Sequence, residues 1–164
     1  MNQQPIFKSK EAFKIVGVER YTGVGISAIQ EAWEEFGKRI PEIQHKIEPV
    51  TVYGFEDYSH DFDLNAGGFP KFYYIAALEV DSLDDIPAGM VGKEVTACHC
   101  AVFRYQGPVE GISTFFRYIY DEWLPASGYM LDPRINADFE RPQPHGDNGE
   151  ADEEIWLPVV KNSI

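Results

Sequence analysis

The sequence predicts an α+β fold in which a β-α-β-β unit occurs twice, with antiparallel sheets, a central groove and one long helix in each copy. Two observations lead to this prediction. The order of elements read from the hydrophobic spacing is the same in both halves of the 164 residues, and identical residues recur at one fixed spacing. We expect a single domain over residues 1–164, with internal repeats at about 10–82 and 92–161, related by a pseudo-two-fold axis.

The first unit begins with an apolar, β-branched segment. Apolar residues then recur at helical spacing with charged residues between them, as in an amphipathic helix, and Pro41 helps to end that pattern. The predicted elements are a strand at Ala12–Tyr21, a turn at Gly23–Gly25, a helix at Ile26–Ile40, and strands at Val50–Phe55 and Phe72–Val80. Residues 57–70 are expected to form a polar loop.

The second unit repeats this order. The predicted elements are a strand at Glu94–Tyr105, a turn at Gln106–Gly111, a helix at Ile112–Leu124, and strands at Asn136–Glu140 and Glu153–Val160. Residues 142–152, with two Pro and two Gly, are expected to form an exposed loop.

Identical residues link the two units at a spacing of 84 positions. Residues 18, 20, 21, 23, 41, 49, 55 and 56 recur unchanged 84 positions later, at 102, 104, 105, 107, 125, 133, 139 and 140. Ordinary composition would give roughly two or three such identities by chance. We interpret the pattern as an ancestral duplication, and the groove between the units as a natural place for a ligand.

The formal net charge of −13 disfavours binding to nucleic acid or to an anionic membrane surface, and it favours cations. No apolar run approaches the ~20 residues that a membrane span needs, and the first ten residues lack the apolar core of a signal peptide. Cys98 and Cys100 lie too close on one strand to cross-link a domain, so we expect reduced thiols in a cytoplasmic protein.

The last predicted strand suggests the chemistry of a site. Strand side chains alternate between faces, so Glu154, Trp156 and Pro158 share one face, opposite Ile155 and Leu157. A half-buried carboxylate beside an indole ring favours a cationic ligand, because the charge offsets the cost of desolvation and the ring attracts the cation. The alternative is that Glu154 points into solvent at a sheet edge.

Several motifs together resemble the GyrI-like effector-binding domains, the ligand-sensing domains of multidrug and AraC-type transcription regulators. The resemblance is greatest to a stand-alone branch associated with integron cassettes. The segments that carry it are Phe72-Tyr-Tyr-Ile-Ala-Ala-Leu-Glu-Val80, Ile86-Pro-Ala-Gly89, Ala101-Val-Phe-Arg-Tyr-Gln-Gly107, Tyr118-x-x-x-Glu-Trp-Leu-Pro-x-Ser-Gly-Tyr129, Asp138-Phe-Glu140 and Glu154-Ile-Trp-Leu-Pro158.

This resemblance implies a duplicated fold around an aromatic pocket, in which a buried Glu of the last strand, four residues before Pro, pairs with cationic drugs. That role falls on Glu154. The candidate residues for the pocket wall are Trp156, Trp123, Tyr105, Tyr74, Tyr53 and Phe55. Large aromatic side chains also commonly serve as core, and this alternative stays open for each of them.

Other motifs favour ordinary structure over chemistry. The segment Gly23-Val-Gly-Ile-Ser-Ala28 loosely matches a dinucleotide-binding loop, but its counterpart contains Pro108, so we interpret it as a turn. On a strand, the two thiols of Cys98-His99-Cys100 face away from the imidazole, and no second pair of ligands follows. We expect neither a metal nor a cofactor.

The sequence therefore predicts a non-catalytic module that captures hydrophobic, cationic small molecules. Two alternatives remain. One is a hydrolase of strained electrophiles with the pocket Glu as general base. The other is an interaction module for a macromolecular partner such as a regulator or DNA gyrase. No DNA-binding segment precedes the first predicted strand, so direct binding to nucleic acid is not expected.

Overall fold

Antiparallel strands form most of the fold. The computed structural model describes residues 3–24, 27–59, 71–142 and 150–162. The strands are β1 (Ile6–Lys10), β2 (Phe13–Tyr21), β3 (Val52–Asp57), β4 (Tyr73–Val80), β5 (Val91–Val95), β6 (Cys98–Pro108), β7 (Tyr129–Leu131), β8 (Ala137–Pro142) and β9 (Glu150–Lys161). The helices are α1 (Ala28–Arg39), α2 (Ile112–Tyr118), a π-helical segment (Ile119–Trp123) and α3 (Leu124–Ser127).

The strands form a sheet of order β1-β6-β9-β8-β3-β4-β2-β5, with β7 paired to β9, and every pairing is antiparallel. At the centre, β3 pairs with β8 so that Phe55 lies opposite Phe139, its counterpart 84 positions later. Two copies of one unit related by a two-fold axis between β3 and β8 would produce this order and register. The predicted α+β class is confirmed, with the two halves joined in one continuous sheet.

The sheet is strongly curved. Two strands separate β2 from β8, so a flat sheet would place them about 14 Å apart. The rings of Phe13 on β2 and Phe139 on β8 nevertheless have centroids 5.4 Å apart. The face that carries these rings is therefore concave. Neither α1 nor α2 lies on this face, and we call it the helix-free face.

Both helices cover the opposite face, which we call the helix-covered face. Beneath α1, Ala32 and Phe36 pack against Val16, Val18, Ala76 and Leu78. Beneath α2 and the π-helical segment, Phe115 and Ile119 pack against Ala101, Phe103, Ile155 and Leu157. Between the helices, partly buried Tyr120 joins both groups.

Sequence and structure agree on the main elements and differ in detail. The long strand predicted at 94–105 is interrupted after Val95, so β5 and β6 are separate strands. The sequence pattern does not predict β1 or β7. The second predicted helix contains a π-helical segment. Residues 25–26, 60–70 and 143–149, which include part of the predicted turn and loops, lie outside the described residues.

Within the described ranges, no helix has the length and apolar character that crossing a membrane requires.

Replacing Phe139 by Ala should destabilise the protein by about 3–5 kcal/mol, because this fully buried ring contacts the rings of Phe13 and Phe55 across the two-fold axis and that of Trp156 in its own half. The measurement is the free energy of unfolding in urea. Val109→Ala, at an exposed position, serves as the control and should cost less than about 0.5 kcal/mol. A comparable loss in both variants would contradict the central role of Phe139.

Candidate carboxylate–tyrosine site

Four acidic side chains converge on the helix-covered face where the two halves of the sheet meet. The strand register places Glu56 of β3 directly opposite Asp138 of β8. Glu140 follows on the same face of β8, and Glu153 of β9 lies beside it. Glu56 and Glu140 are equivalent in the two repeats, so the central pairing brings one acid from each half together. With the tyrosines described next, they form the carboxylate–tyrosine cluster.

Tyrosine hydroxyls supply the hydrogen bonds to these carboxyls. Tyr58 donates to Glu56 Oε2 at 2.9 Å or to Asp138 Oδ2 at 2.7 Å, and Tyr120 also donates to Asp138 Oδ2. The hydroxyl of Tyr74 lies 3.4 Å from Glu140 Oε2 and accepts a bond of 2.9 Å from Trp33 Nε1. Each tyrosine therefore places a neutral donor next to an acid.

Gly54 makes room for this arrangement. It pairs with Glu140 across the two central strands, and a Cβ atom there would lie 2.2 Å from the Tyr74 hydroxyl and 3.2 Å from Glu140 Oε2. Any larger residue would displace the hydroxyl, so the close approach of Tyr74 to Glu140 depends on glycine.

Burial keeps the carboxyls of Glu56, Asp138 and Glu153 protonated to higher pH than usual. The pKa of Glu56 lies well above its ordinary value because of burial and the nearby Asp138 and Glu140. Burial raises the pKa of Asp138 to about 7, although the hydroxyls of Tyr120 and Tyr58 act in the opposite direction. Burial and the neighbouring Glu140 raise the pKa of Glu153 to about 8. Near neutral pH the cluster therefore holds protons that it can release.

The cluster has acceptor capacity that the described residues leave unused. Asp138 Oδ1 and Glu153 Oε1 are buried, and no N–H or hydroxyl group of these residues donates a hydrogen bond to them. No ion pair within residues 3–24, 27–59, 71–142 and 150–162 involves any of the four acids. Buried carboxyls usually have compensating partners, so this site is suited to receive a positive charge from outside the chain.

Two helices provide the aromatic walls. Trp33 of α1 stands edge-on to the ring of Tyr74, and Tyr120 of the π-helical segment stands edge-on to Tyr58. Tyr120 belongs to a backbone segment of a kind that occurs frequently at functional sites. Trp33 and Tyr120 are only partly buried, so the walls reach the protein surface.

The seven site residues predicted from the sequence do not line one pocket. Tyr74 belongs to the carboxylate–tyrosine cluster. Tyr53, Phe55 and Trp156 lie on the helix-free face, where Phe13, Phe139 and these side chains form a packed aromatic core. Tyr105 packs beneath α2 against Phe115, and Trp123 of the π-helical segment packs against Phe103. The pleat of the strands places the strand residues among these seven on opposite faces of the sheet, and the curvature of the sheet keeps the groups apart.

Glu154 lies on the helix-free face beside Trp156, whose Nε1 donates to its carboxylate at 3.2 Å. It is half-buried. Across the neighbouring strands it lies opposite Arg104 and Arg141. The adjacent Glu153 faces the other way and is the last-strand acid that contributes to the carboxylate–tyrosine cluster.

Sequence reasoning did not identify Glu56, Asp138, Glu140, Glu153, Tyr58, Tyr120 and Trp33 as site residues. A usable signal was the recurrence of Glu56 at Glu140, because an acid retained in both repeats beside the symmetry axis suggests a role there. The remaining members depend on strand register, which the sequence pattern does not provide.

Comparison with known proteins assigns the family. A model of the GyrI-like small molecule binding domain matches residues 3–160. The chain belongs to this family. GyrI-like relatives include the transcriptional regulator BrlR of Pseudomonas aeruginosa, which is 33% identical over 131 residues. That match covers 80% of this chain and 45% of BrlR, so the chain spans less than half the length of the regulator.

Solved structures of low sequence identity share the GyrI-like fold. The C-terminal domain of EcmrR has a TM-score of 0.74 at 15% identity, and the match covers 99% of this chain and 100% of that one. SAV2435 bound to tetraphenylphosphonium has a TM-score of 0.67 at 20% identity, and the match covers 96% and 94% of the two chains. These similarities concern the fold.

The raised pKa values predict that stability falls as the pH rises from about 5 to 8. In this range the folded chain retains carboxyl protons that the unfolded chain has released, so unfolding releases protons and becomes easier at higher pH. Glu153→Gln removes one such group and should reduce the fall by at least about 1.4 kcal/mol, the equivalent of one pKa unit. Urea unfolding at several pH values measures it.

Glu154→Gln is the matched control, because it removes a carboxyl from the next residue of the same strand and the opposite face of the sheet. It should retain the wild-type pH dependence. Equal slopes for Glu153→Gln and wild type would show that Glu153 does not hold a proton in the folded state.

Proposed function

We propose that this GyrI-like domain captures hydrophobic, cationic small molecules at the carboxylate–tyrosine cluster. The observation that carries the proposal is the group of four acids at the centre of the fold, with buried acceptor atoms that no described residue satisfies. The ligand would supply the positive charge. The rings of Trp33, Tyr58, Tyr74 and Tyr120 would contact its apolar surface.

The electrostatics of the cluster favour a cation over a neutral ligand. Asp138 raises the pKa of Glu56, and Glu140 raises the pKa of both Glu56 and Glu153, so each acid makes its neighbour harder to ionise. A positive charge among them reverses this effect, because it favours the ionised form of every carboxyl within a few ångströms. Attraction to the aromatic faces adds roughly 0.5–2 kcal/mol.

The helix-free face is less suited to a cation, because basic side chains already lie over its rings. Lys8 stands 5.6 Å from the centroid of Trp156, Lys10 stands 4.2 Å from Phe13, and Lys93 stands 5.4 Å from Phe55. The guanidinium of Arg141 lies 5.8 Å from Tyr53. A cationic ligand would have to displace these charges and would meet their repulsion.

The tyrosine hydroxyls form hydrogen bonds with the carboxyls of the cluster. Tyr58 and Tyr120 both donate to one oxygen of Asp138, and their own pKa values are raised by burial and by this acid, so they remain neutral donors. Attraction between a cation and the ionised carboxylates can offset the loss of these hydrogen bonds. We expect Tyr120, on the partly exposed π-helical segment, to move when a ligand enters.

The relatives support the same class of function. The family is described as a small molecule binding domain, and SAV2435 has been solved with tetraphenylphosphonium, a hydrophobic cation. BrlR is a transcriptional regulator, of which this chain matches less than half. Under this proposal the domain senses or sequesters its ligand in the cytoplasm, and a regulator or another protein partner would read out the bound state.

Titration with tetraphenylphosphonium, followed by tryptophan fluorescence and calorimetry, should show binding in the micromolar range. Glu153→Gln should weaken the affinity by about 1.5–3 kcal/mol, or roughly 10- to 100-fold, because a unit charge about 6–11 Å from the cation contributes about that much at an effective dielectric constant of about 20. Glu154→Gln should change the affinity less than threefold.

The two variants distinguish binding at the helix-covered face from binding at the helix-free face. A large loss in Glu154→Gln alone would move the site to the helix-free face and its Trp156. Unchanged affinity in both variants would exclude capture by either acid of the last strand.

Hydrolysis is tested by incubating an electrophilic cation with the protein and analysing the mixture for product by mass spectrometry. Turnover that is lost in Asp138→Asn would show that the function is catalysis and not binding.

Binding should release protons, because the cation lowers the pKa of Asp138 and Glu153 from their raised values of about 7 and 8. Affinity should therefore increase between pH 6 and 8, by up to about tenfold per pH unit for each proton released. Binding enthalpies are measured by calorimetry at pH 7 in phosphate and in Tris. They should differ by the number of protons released multiplied by the difference between the ionisation enthalpies of the two buffers.

In Glu153→Gln this difference in enthalpy should shrink, whereas in Glu154→Gln it should match wild type. Identical enthalpies in the two buffers for wild-type protein would mean that the acids are already ionised before the cation arrives.

A further inference from the structure

A second candidate site lies on the helix-free face, away from the carboxylate–tyrosine cluster. Cys98 and Cys100 point to the same face of β6, and their Sγ atoms are 3.4 Å apart. Both thiols are free and buried. They are the only cysteines of the chain. The proposed cation site does not use them.

A surface groove gives access to this pair. Its volume is about 600 Å³, and Cys98 forms part of its wall together with Lys10, Glu11 and Arg134. Cys100 lies deeper, and the hydrogen bond between the two thiols lowers the pKa of Cys98 while it raises that of Cys100. The thiol at the groove is therefore the one that ionises first, and a thiolate is the form that attacks an electrophile.

The distance between the sulfurs selects among the electrophiles that bind thiolates. For bonds of about 2.3 Å to a shared atom, sulfurs 3.4 Å apart subtend about 95° at that atom. This angle is smaller than the tetrahedral angle of zinc and far from the linear arrangement of a two-coordinate soft cation. It is close to the angles of pyramidal trivalent arsenic, whose bonds to sulfur have a similar length.

The other neighbours argue against a metal ion. A closed zinc site needs four ligands, but His99 faces away and stacks on Phe7 with ring centroids 5.6 Å apart. Within the described residues, no group of three or more His, Cys, Asp or Glu side chains is placed to hold a metal. The pair therefore suits a centre that takes two sulfurs and brings its own third bond.

We infer that Cys98 and Cys100 form a chelating site for trivalent organoarsenicals. In the reaction, R–As(OH)2 exchanges its two hydroxyls for the two thiol sulfurs. Two As–O bonds break and two As–S bonds form. Each thiol proton leaves with a hydroxyl as water, and the carbon–arsenic bond stays intact. Arsenic is trivalent before and after, so no oxidant or reductant takes part.

A disulfide fits the same pair less well. The sulfurs would have to approach from 3.4 Å to about 2.05 Å, although residues two apart on a strand have Cα atoms about 6.4–6.8 Å apart, near the upper limit for a disulfide. The arsenical bridges the sulfurs at the separation they already have, without movement of the backbone.

In the experiment, the reduced chain of residues 1–164 is treated with phenylarsine oxide and its intact mass is measured. One phenylarsenic unit should be added per chain, with loss of two protons. A large excess of glutathione, a monothiol, should leave the adduct in place, whereas the dithiol dimercaptopropanol should remove it. Chelation by two thiols should make retention against glutathione roughly 100-fold greater than in a single-cysteine variant.

Cys98→Ser, at the groove, is the deciding variant, and Cys100→Ala is tested beside it with circular dichroism to verify folding. His99→Ala, between them on the opposite face, is the control and should retain the adduct. Three outcomes would overturn the proposal. The first is that Cys98→Ser retains the arsenic adduct as well as wild type does, and the second is that glutathione removes the wild-type adduct. The third is that the purified chain is two hydrogens lighter than expected, as a disulfide would make it, and does not react with phenylarsine oxide. Tetraphenylphosphonium affinity should be the same in Cys98→Ser as in wild type.

Discussion

The pairing of β3 with β8 determines how the rest of the structure is arranged. It joins the two halves of the sheet, and it sets Phe55 opposite Phe139 on one face and Glu56 opposite Asp138 on the other. A slip of one residue would turn each of these side chains to the wrong face, so that acids would enter the aromatic core. The contacts of the Phe139 ring with Phe13, Tyr53 and Phe55 across the two-fold axis hold the register against such a slip.

The same pairing explains why the site is costly for the fold. Two acids that are equivalent in the repeats meet beside the symmetry axis, where burial penalises their charge and each repels the other. The protein limits this cost by retaining protons and by placing tyrosine hydroxyls next to the carboxyls. A binding site that is already neutralised by its own lysine or arginine would be more stable, but it would offer nothing to a cationic ligand.

The amino-acid pattern was sufficient to predict the fold class and the order of the main elements, since the two helices and the central strands have clear periodicity. It did not indicate β1 and β7. The first is a mostly exposed edge strand, and the second has only three residues, so neither shows a buried alternating pattern. The break between β5 and β6 lies where Val95 and Cys98 are both buried and the two residues between them are exposed, which departs from strand alternation. The sequence Val95-Thr-Ala-Cys98 does not reveal this burial, because its apolar and β-branched residues are typical of one longer strand.

The candidate site shows the limit of the same reasoning more sharply. Alternation along β9 correctly predicts that Glu153 and Glu154 face opposite sides, but it does not say which side the helices cover. The resemblance to the family directed attention to Glu154, four residues before Pro158, whereas the register places Glu153 beside Glu140. Tyr58 and Tyr120 reach Asp138 from distant segments, and only the folded chain brings them together.

The two faces of the sheet differ in how their charges are balanced, and this difference defines what each can bind. On the helix-free face Lys8, Lys10 and Lys93 lie over aromatic rings, and Lys93 also pairs with Asp57 at 2.7 Å. Those rings already have cationic partners. On the helix-covered face the acids have only neutral donors within the described chain. An overall charge of −13 attracts cations to the whole molecule, but within the described residues the helix-covered face combines aromatic walls with acids that no basic side chain neutralises, and we therefore propose that an arriving cation gains most there.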